Sequence, residues 1–163
     1  MLQNQFSELL AGNKDAIFRI CSAYTTSRAD AEDVFQEVLL NIWKALPGFR
    51  GEANMSTWAY RVALNVCLQA KYRKDKRPLT IALDGLQFEP PAEDKTGNNY
   101  NALYECIHAL GDAEKALMLL FLEDLSYREI GLSLGLSENH VAVKIKRIKT
   151  KLFTCLKSKG YDR

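Results

Sequence analysis

A chain of 163 residues is long enough for one domain or two small ones, and a hydrophobic content of 47% excludes wholesale disorder. Its formal charge is only +2. No opening segment joins a basic start, an apolar run and a small-residue cleavage site, and the longest apolar stretch, Ala116 to Leu122, is too short to span a bilayer. A cytoplasmic protein without membrane insertion is therefore expected.

Helical periodicity dominates, and no segment alternates as a strand would. The first helical stretch runs from Leu2 to Tyr24, with an interruption expected at Gly12-Asn13. The second opens on Ser27 as N-cap with Asp30 three residues on, and Pro47-Gly48 closes it. Its apolar stripe is Ala31, Val34, Phe35, Val38, Leu39, Ile42 and Leu46. Asp30, Glu32, Asp33, Gln36, Glu37 and Asn41 form the opposite, acidic-to-polar face. Such a surface repels phosphate and suits a basic protein partner.

A loop with two glycines and two aromatics, Gly48 to Trp58, leads into a third helix that begins near Ser56 and ends before Pro78. A polar loop of this kind can hold an unstacked base, although Trp58 reads as mainly structural. In the helix, Val62, Ala63, Val66 and Ala70 turn inward, leaving Arg61, Asn65, Gln69 and Tyr72 on one polar stripe. Lys71 to Arg77 extend it as a basic tail toward phosphates. The stretch from Arg77 to Asn101 holds three of the four prolines and reads as an acidic linker, set at residues 78–101 between domains at 1–77 and 102–163.

Helix resumes near Ala102, stops at Gly111 and restarts behind Asp112 as N-cap. Ser126 with Glu129 makes a capping box, Gly135-Leu136 a turn, and Ser137 caps a last helix reaching about Lys157. This is the outline of a helix-turn-helix, with Gly135 at the left-handed turn position and Gly131 allowing a close helix crossing. At about 100° per residue, Val141, Ile145, Ile148, Leu152 and Leu156 form the buried stripe of the last helix. His140, Lys144, Arg147 and Lys151 lie opposite, flanked by Lys146, with Val143 among them. An apolar side chain among cations suits the major groove, where it can meet a thymine methyl. Val143, Lys146 and Arg147 are thus expected at base edges, Lys144 and Lys151 at phosphates.

Charge is divided in a way that supports this. Residues 71–78 carry five basic groups and one acidic, residues 137–163 eight and two, while residues 79–136 between them carry three and ten. Two basic islands fit two contact points on one polyanion. The four cysteines (Cys21, Cys67, Cys106, Cys155) lie about forty or more residues apart without a CxxC pair, so reduced, mostly buried thiols and no metal site or cofactor are expected. There is no nucleophile–His–carboxylate grouping and no phosphate-binding glycine loop, so the chain does not read as an enzyme.

Two runs carry a resemblance. DAEDVFQEVLLNIWKALPGFRGEANMSTWAYRVALNV, Asp30 to Val66, resembles the core-binding and promoter-melting domain of bacterial sigma factors. LEDLSYREIGLSLGLSENHVAVKIKRIKTKL, Leu122 to Leu152, looks like their C-terminal promoter-reading domain. Their order around a short linker matches the extracytoplasmic-function group. The resemblance implies an all-α protein of two small helical domains joined by a flexible acidic linker. Its partners would be core RNA polymerase, double-stranded promoter DNA and the melted −10 strand, with an anti-sigma factor as a further candidate.

By the same resemblance Asp30, Asp33, Gln36 and Glu37 would meet the polymerase clamp helices. Arg50, Asn54, Ser56, Thr57, Arg61, Asn65, Gln69, Lys71 and Arg73 would serve the −10 element. His140, Val143, Lys144, Lys146, Arg147 and Lys151 would serve the −35 element, and Asp84, Glu89, Glu93 and Asp94 would thread the RNA path. Two departures stand out: Gly111-Asp112 where the family often has a proline-led start, and Gly131 in place of a commoner alanine. A stand-alone helix-turn-helix regulator is the alternative reading, although no heptad or spare apolar helix offers the dimer such proteins need.

Overall fold

The computed structural model describes residues 2–51, 53–73 and 98–160, and among them every regular element is helical. The chain divides into two compact units, Met1–Ala92 and Glu93–Arg163. The stretch that reads as a linker falls almost wholly outside the described residues, as do Asp84, Glu89, Glu93 and Asp94.

In the first unit, α1 (Leu2–Ala23), α2 (Arg28–Ala45) and α3 (Met55–Tyr72) pack against one another, with a 3-10 turn at Leu46–Gly48 closing α2. Ser27 caps α2 as expected, its hydroxyl accepting from the Asp30 N–H at 3.1 Å. The inward stripe of α2 meets Phe6, Ile17 and Ile20 of α1 and Ala59, Ala63 and Val66 of α3 in one buried core. Edge-to-face pairs of Phe6 with Trp43 and of Phe18 with Phe35, at 5.2 and 5.4 Å between ring centres, fix the α1–α2 packing.

Gly12-Asn13 does not interrupt α1, contrary to expectation. The reason lies in the Asn13 side chain, which is only 9% exposed. Its amide donates to the Leu9 carbonyl one turn back at 2.9 Å, and its oxygen accepts from the Tyr60 hydroxyl of α3 at 2.7 Å. An asparagine that would otherwise favour a turn is therefore used to bond two helices across the core. As expected, α3 starts near Ser56, at Met55, where Asn54 caps it by accepting from the Ser56 N–H at 2.8 Å.

The second unit holds α4 (Asn98–His108), α5 (Asp112–Leu122), α6 (Tyr127–Leu134) and α7 (Glu138–Ser158). The three shorter helices all pack on α7. Ile107, Leu117, Leu119, Leu120 and Ile130 close over its buried stripe. α4 begins four residues before Ala102. At α5 the N-cap is Gly111 rather than Asp112: Gly111 is extended and its carbonyl takes the first helical N–H, from Lys115 at 2.8 Å. Asp112 becomes a first-turn carboxylate, where the helix dipole favours it.

The cysteines depart furthest from expectation. Cys106 of α4 and Cys155 of α7 form a disulfide, whereas Cys21 and Cys67 are free and buried. Pairing follows from the packing of α4 on α7, which local spacing does not encode.

Replacing Asn13 with Ala removes the acceptor of a buried hydroxyl, a loss of about 1–3 kcal/mol. Urea unfolding of Asn13→Ala should show a loss of that size. A stability equal to that of the parent chain would mean the inter-helix bond contributes nothing.

Candidate nucleic-acid interface

The helix-turn-helix is built by three local devices. Ser126 caps α6 by accepting from the Glu129 N–H, and Ser137 caps α7 by accepting from the His140 N–H, both at 3.1 Å. Between them Gly135 is left-handed at φ 73°, a conformation that L side chains rarely adopt. Gly131 works differently from the expected helix crossing. A methyl group there would run into the backbone carbonyl of Leu136, so it is the turn itself that passes close, with the Leu136 N–H bonded to the Gly131 carbonyl at 2.9 Å.

With its start fixed, α7 has its faces fixed too. Val141, Ile145, Ile148 and Leu152 are buried, and Leu156 is half-buried. His140, Lys146, Arg147 and Lys151 are exposed, Lys144 is half-buried, and Val143 stands 42% exposed among them. Two of the neighbouring cations are engaged. The Lys151 ammonium lies 2.7 Å from a Glu114 carboxylate oxygen of α5, and Lys149, which sequence reasoning passed over, sits over the Phe121 ring at 4.4 Å. Both brace α7 against α5, leaving His140, Val143, Lys144, Lys146 and Arg147 as the outward patch.

In the first unit Arg61, Asn65, Gln69 and Tyr72 are all exposed along α3, as their spacing requires. At its end Lys71 is exposed, with its ammonium 5.8 Å from the Tyr72 ring centre. The preceding loop is held by Phe49 and Trp58, whose rings lie 5.2 Å apart, and by Gly51 at φ 73°. Arg50 and Asn54 are exposed and Ser56 is half-buried. Thr57, expected at the −10 element from the loop and helix start, needs a correction: it is 6% exposed and lies on the buried side of the first turn of α3.

On α2, Asp30, Asp33 and Gln36 are exposed on one face. Glu37 turns aside. One of its carboxylate oxygens lies 2.8 Å from the Arg73 guanidinium at the end of α3, in a pair that is partly buried. Two residues expected to serve different partners thus hold each other. The rest of the basic tail, Lys74 to Arg77, lies outside the described residues.

Two helical units, one ending in a helix-turn-helix with a cationic outer face, define a DNA-binding architecture. Comparison with known proteins gives the class. The family description "Sigma-70 region 2" matches residues 9–77, and "Sigma-70, region 4" matches residues 100–152. The chain belongs to the sigma-70 family, in its extracytoplasmic-function group. It is similar to the ECF RNA polymerase sigma-E factor of Escherichia coli, 29% identical over 78% of this chain and 74% of that protein. It is also similar to the ECF RNA polymerase sigma factor SigG of Mycobacterium tuberculosis, 42% identical over 45% of this chain but only 20% of that protein's length.

Two solved structures share the fold. One is the sigma factor RpoE in complex with the anti-sigma factor NepR from Bartonella quintana, with TM-score 0.70, 17% identity and coverage of 94% of this chain and 97% of that one. The other is CnrH in complex with the cytosolic domain of CnrY, with TM-score 0.69, 21% identity and coverage of 96% and 90%.

The ion pairs sort the cations of α7. A lysine already neutralised by a carboxylate releases few counterions on meeting DNA, whereas a free one contributes about 0.9 to the salt slope. Lys144→Ala, at the expected phosphate contact, should flatten the plot of log affinity against log salt by about that amount, and Lys151→Ala by clearly less. Equal changes in a fluorescence-anisotropy titration would show that Glu114 does not hold Lys151 in solution.

Proposed function

We propose that this chain binds core RNA polymerase and directs it to promoters, acting as an initiation factor by binding rather than catalysis. The observation that carries the reading is the pair of outward polar faces, Arg61–Asn65–Gln69 on α3 and His140 to Arg147 on α7, one in each unit. α7 enters the major groove at the −35 element, with Val143, Lys146 and Arg147 at base edges and Lys144 at phosphate. The loop from Phe49 to Trp58 and the stripe of α3 take the −10 element, where exposed Arg50 meets the melted strand and Asn54, its oxygen held by the cap, offers its amide group. Asp30, Asp33 and Gln36 on α2 face basic helices of the polymerase.

Family membership over both units supports this reading, and so does the acidic face of α2, which a stand-alone regulator would leave idle. The action is cytoplasmic, where polymerase works. No helix among the described residues is long and apolar enough to cross a membrane. An anti-sigma protein is proposed as a further partner because one solved structure of the same fold, the sigma factor RpoE, is bound to the anti-sigma factor NepR.

Run-off transcription with core polymerase on a promoter library tests the reading. The chain should support initiation at promoters sharing one −35 and one −10 sequence. Arg147→Ala should lose about 1–3 kcal/mol of discrimination at one base pair of the −35 element, and Val143→Asp should abolish its use. Transcription at the same sites with polymerase alone, or an unchanged base preference in both variants, would contradict it.

A further inference from the structure

All four cysteines are paired in space, one pair in each unit, and the two pairs differ in access. In the first unit Cys21 and Cys67 are fully buried, their sulfurs sharing a thiol–thiol hydrogen bond at 3.9 Å. That hydrogen bond, and then burial, hold the Cys21 thiol well above its ordinary range, so it offers little thiolate to an oxidant. In the second unit Cys106 is 2% exposed, but Cys155, eight residues beyond Arg147 on α7, is partly exposed. Their Cα atoms are 5.9 Å apart, within the range that a disulfide bridges without backbone movement. One reachable sulfur with a second directly behind it is the arrangement of an attacking and a resolving thiol.

We propose that Cys106 and Cys155 form a redox-modification site, a dithiol that a peroxide converts reversibly to the cross-link joining α4 to α7. The Cys155 thiolate attacks one peroxide oxygen; the O–O bond breaks, a sulfenic acid forms and the other oxygen leaves as water. The Cys106 thiol then displaces the sulfenic hydroxyl as a second water, closing the S–S bond. Two electrons pass from the sulfurs to one peroxide. A dithiol reductant reverses the step through a mixed disulfide.

The topology gives the cross-link its consequence. A separation of 49 residues encloses α5, α6 and the whole outward patch of α7, so closing this loop restricts the unfolded ensemble of the entire reading element. Beside it, the Lys159 ammonium and a Glu105 carboxylate oxygen meet at 2.9 Å, a second tie between the same two helix ends that does not depend on the sulfurs. The packing of α4 on α7, which does not depend on the bond, would keep the two sulfurs close enough to re-form it. A disulfide in a protein that works beside polymerase, among reduced thiols, belongs with transient and sensing bonds rather than permanent ones. That last step alone rests on the proposed function.

The test uses the full chain, reduced and then exposed to hydrogen peroxide, with alkylation, peptide mapping and thermal melting. The map should contain one linked pair, Cys106 with Cys155, while Cys21 and Cys67 are alkylated only after denaturation. The oxidised chain should melt about 10 °C or more above the reduced chain. Cys155→Ser should melt like the reduced parent and ignore peroxide; if that variant does not fold, the two states of the parent chain carry the test alone. Over-oxidation of Cys155 without a link, a Cys21–Cys67 link, or equal melting of the two states would overturn the proposal. None of these readouts uses polymerase or DNA, so their failure leaves the promoter-reading proposal standing.

Discussion

The apolar stripe of α7 determines what the C-terminal unit can do. Val141, Ile145, Ile148 and Leu152 recur at helical spacing and must be removed from water, and α4, α5 and α6 supply the surfaces that cover them. Burying that stripe leaves one direction for everything on the other side of the helix. His140, Lys146, Arg147 and Val143 point outward because the core leaves them nowhere else to go, so packing energy is what orients the recognition chemistry. The caps at Ser126 and Ser137 and the left-handed Gly135 then set where the helix begins, which fixes the register of the outward residues.

The N-terminal unit follows the same logic with different fasteners. Asn13 and Tyr60 bond across the core, and aromatic pairs lock α1 to α2. The covered face of α3 then leaves Arg61, Asn65 and Gln69 on the outside. Two ion pairs act between helices. Glu37 with Arg73 ties the acidic helix to the end of the polar stripe, and Glu114 with Lys151 ties α5 to α7. Each withdraws one charge from the surface that its spacing alone would assign it to.

Much of this is legible in the amino-acid order, because helical faces and caps are local. Val143 among cations, the serine caps, the turn at Gly135 and the exposed stripe of α3 follow from positions a few residues apart, and the two-unit helical fold follows with them. What escapes is whatever depends on a partner far along the chain. The Asn13 bond to Tyr60 hides the continuity of α1, and the Cys106–Cys155 link is invisible at a separation of 49 residues. Thr57 reads as a loop polar residue until the first turn of α3 carries it inward. Ion-pair choice is equally non-local, since Lys151 and Arg73 look free until the helices that bear Glu114 and Glu37 are packed against them.

The central claim is that the two outward faces read one duplex together when polymerase is present, and cross-linking addresses it most directly. A photoreactive side chain would be placed at position 143 in one preparation and at position 65 in another, each mixed with core polymerase and a promoter fragment. Adducts are expected at an upstream segment from 143 and a downstream segment from 65, on the same fragment, with the downstream adduct requiring polymerase. Adducts scattered along the DNA from both positions, or no adduct from 65 in the polymerase complex, would contradict it.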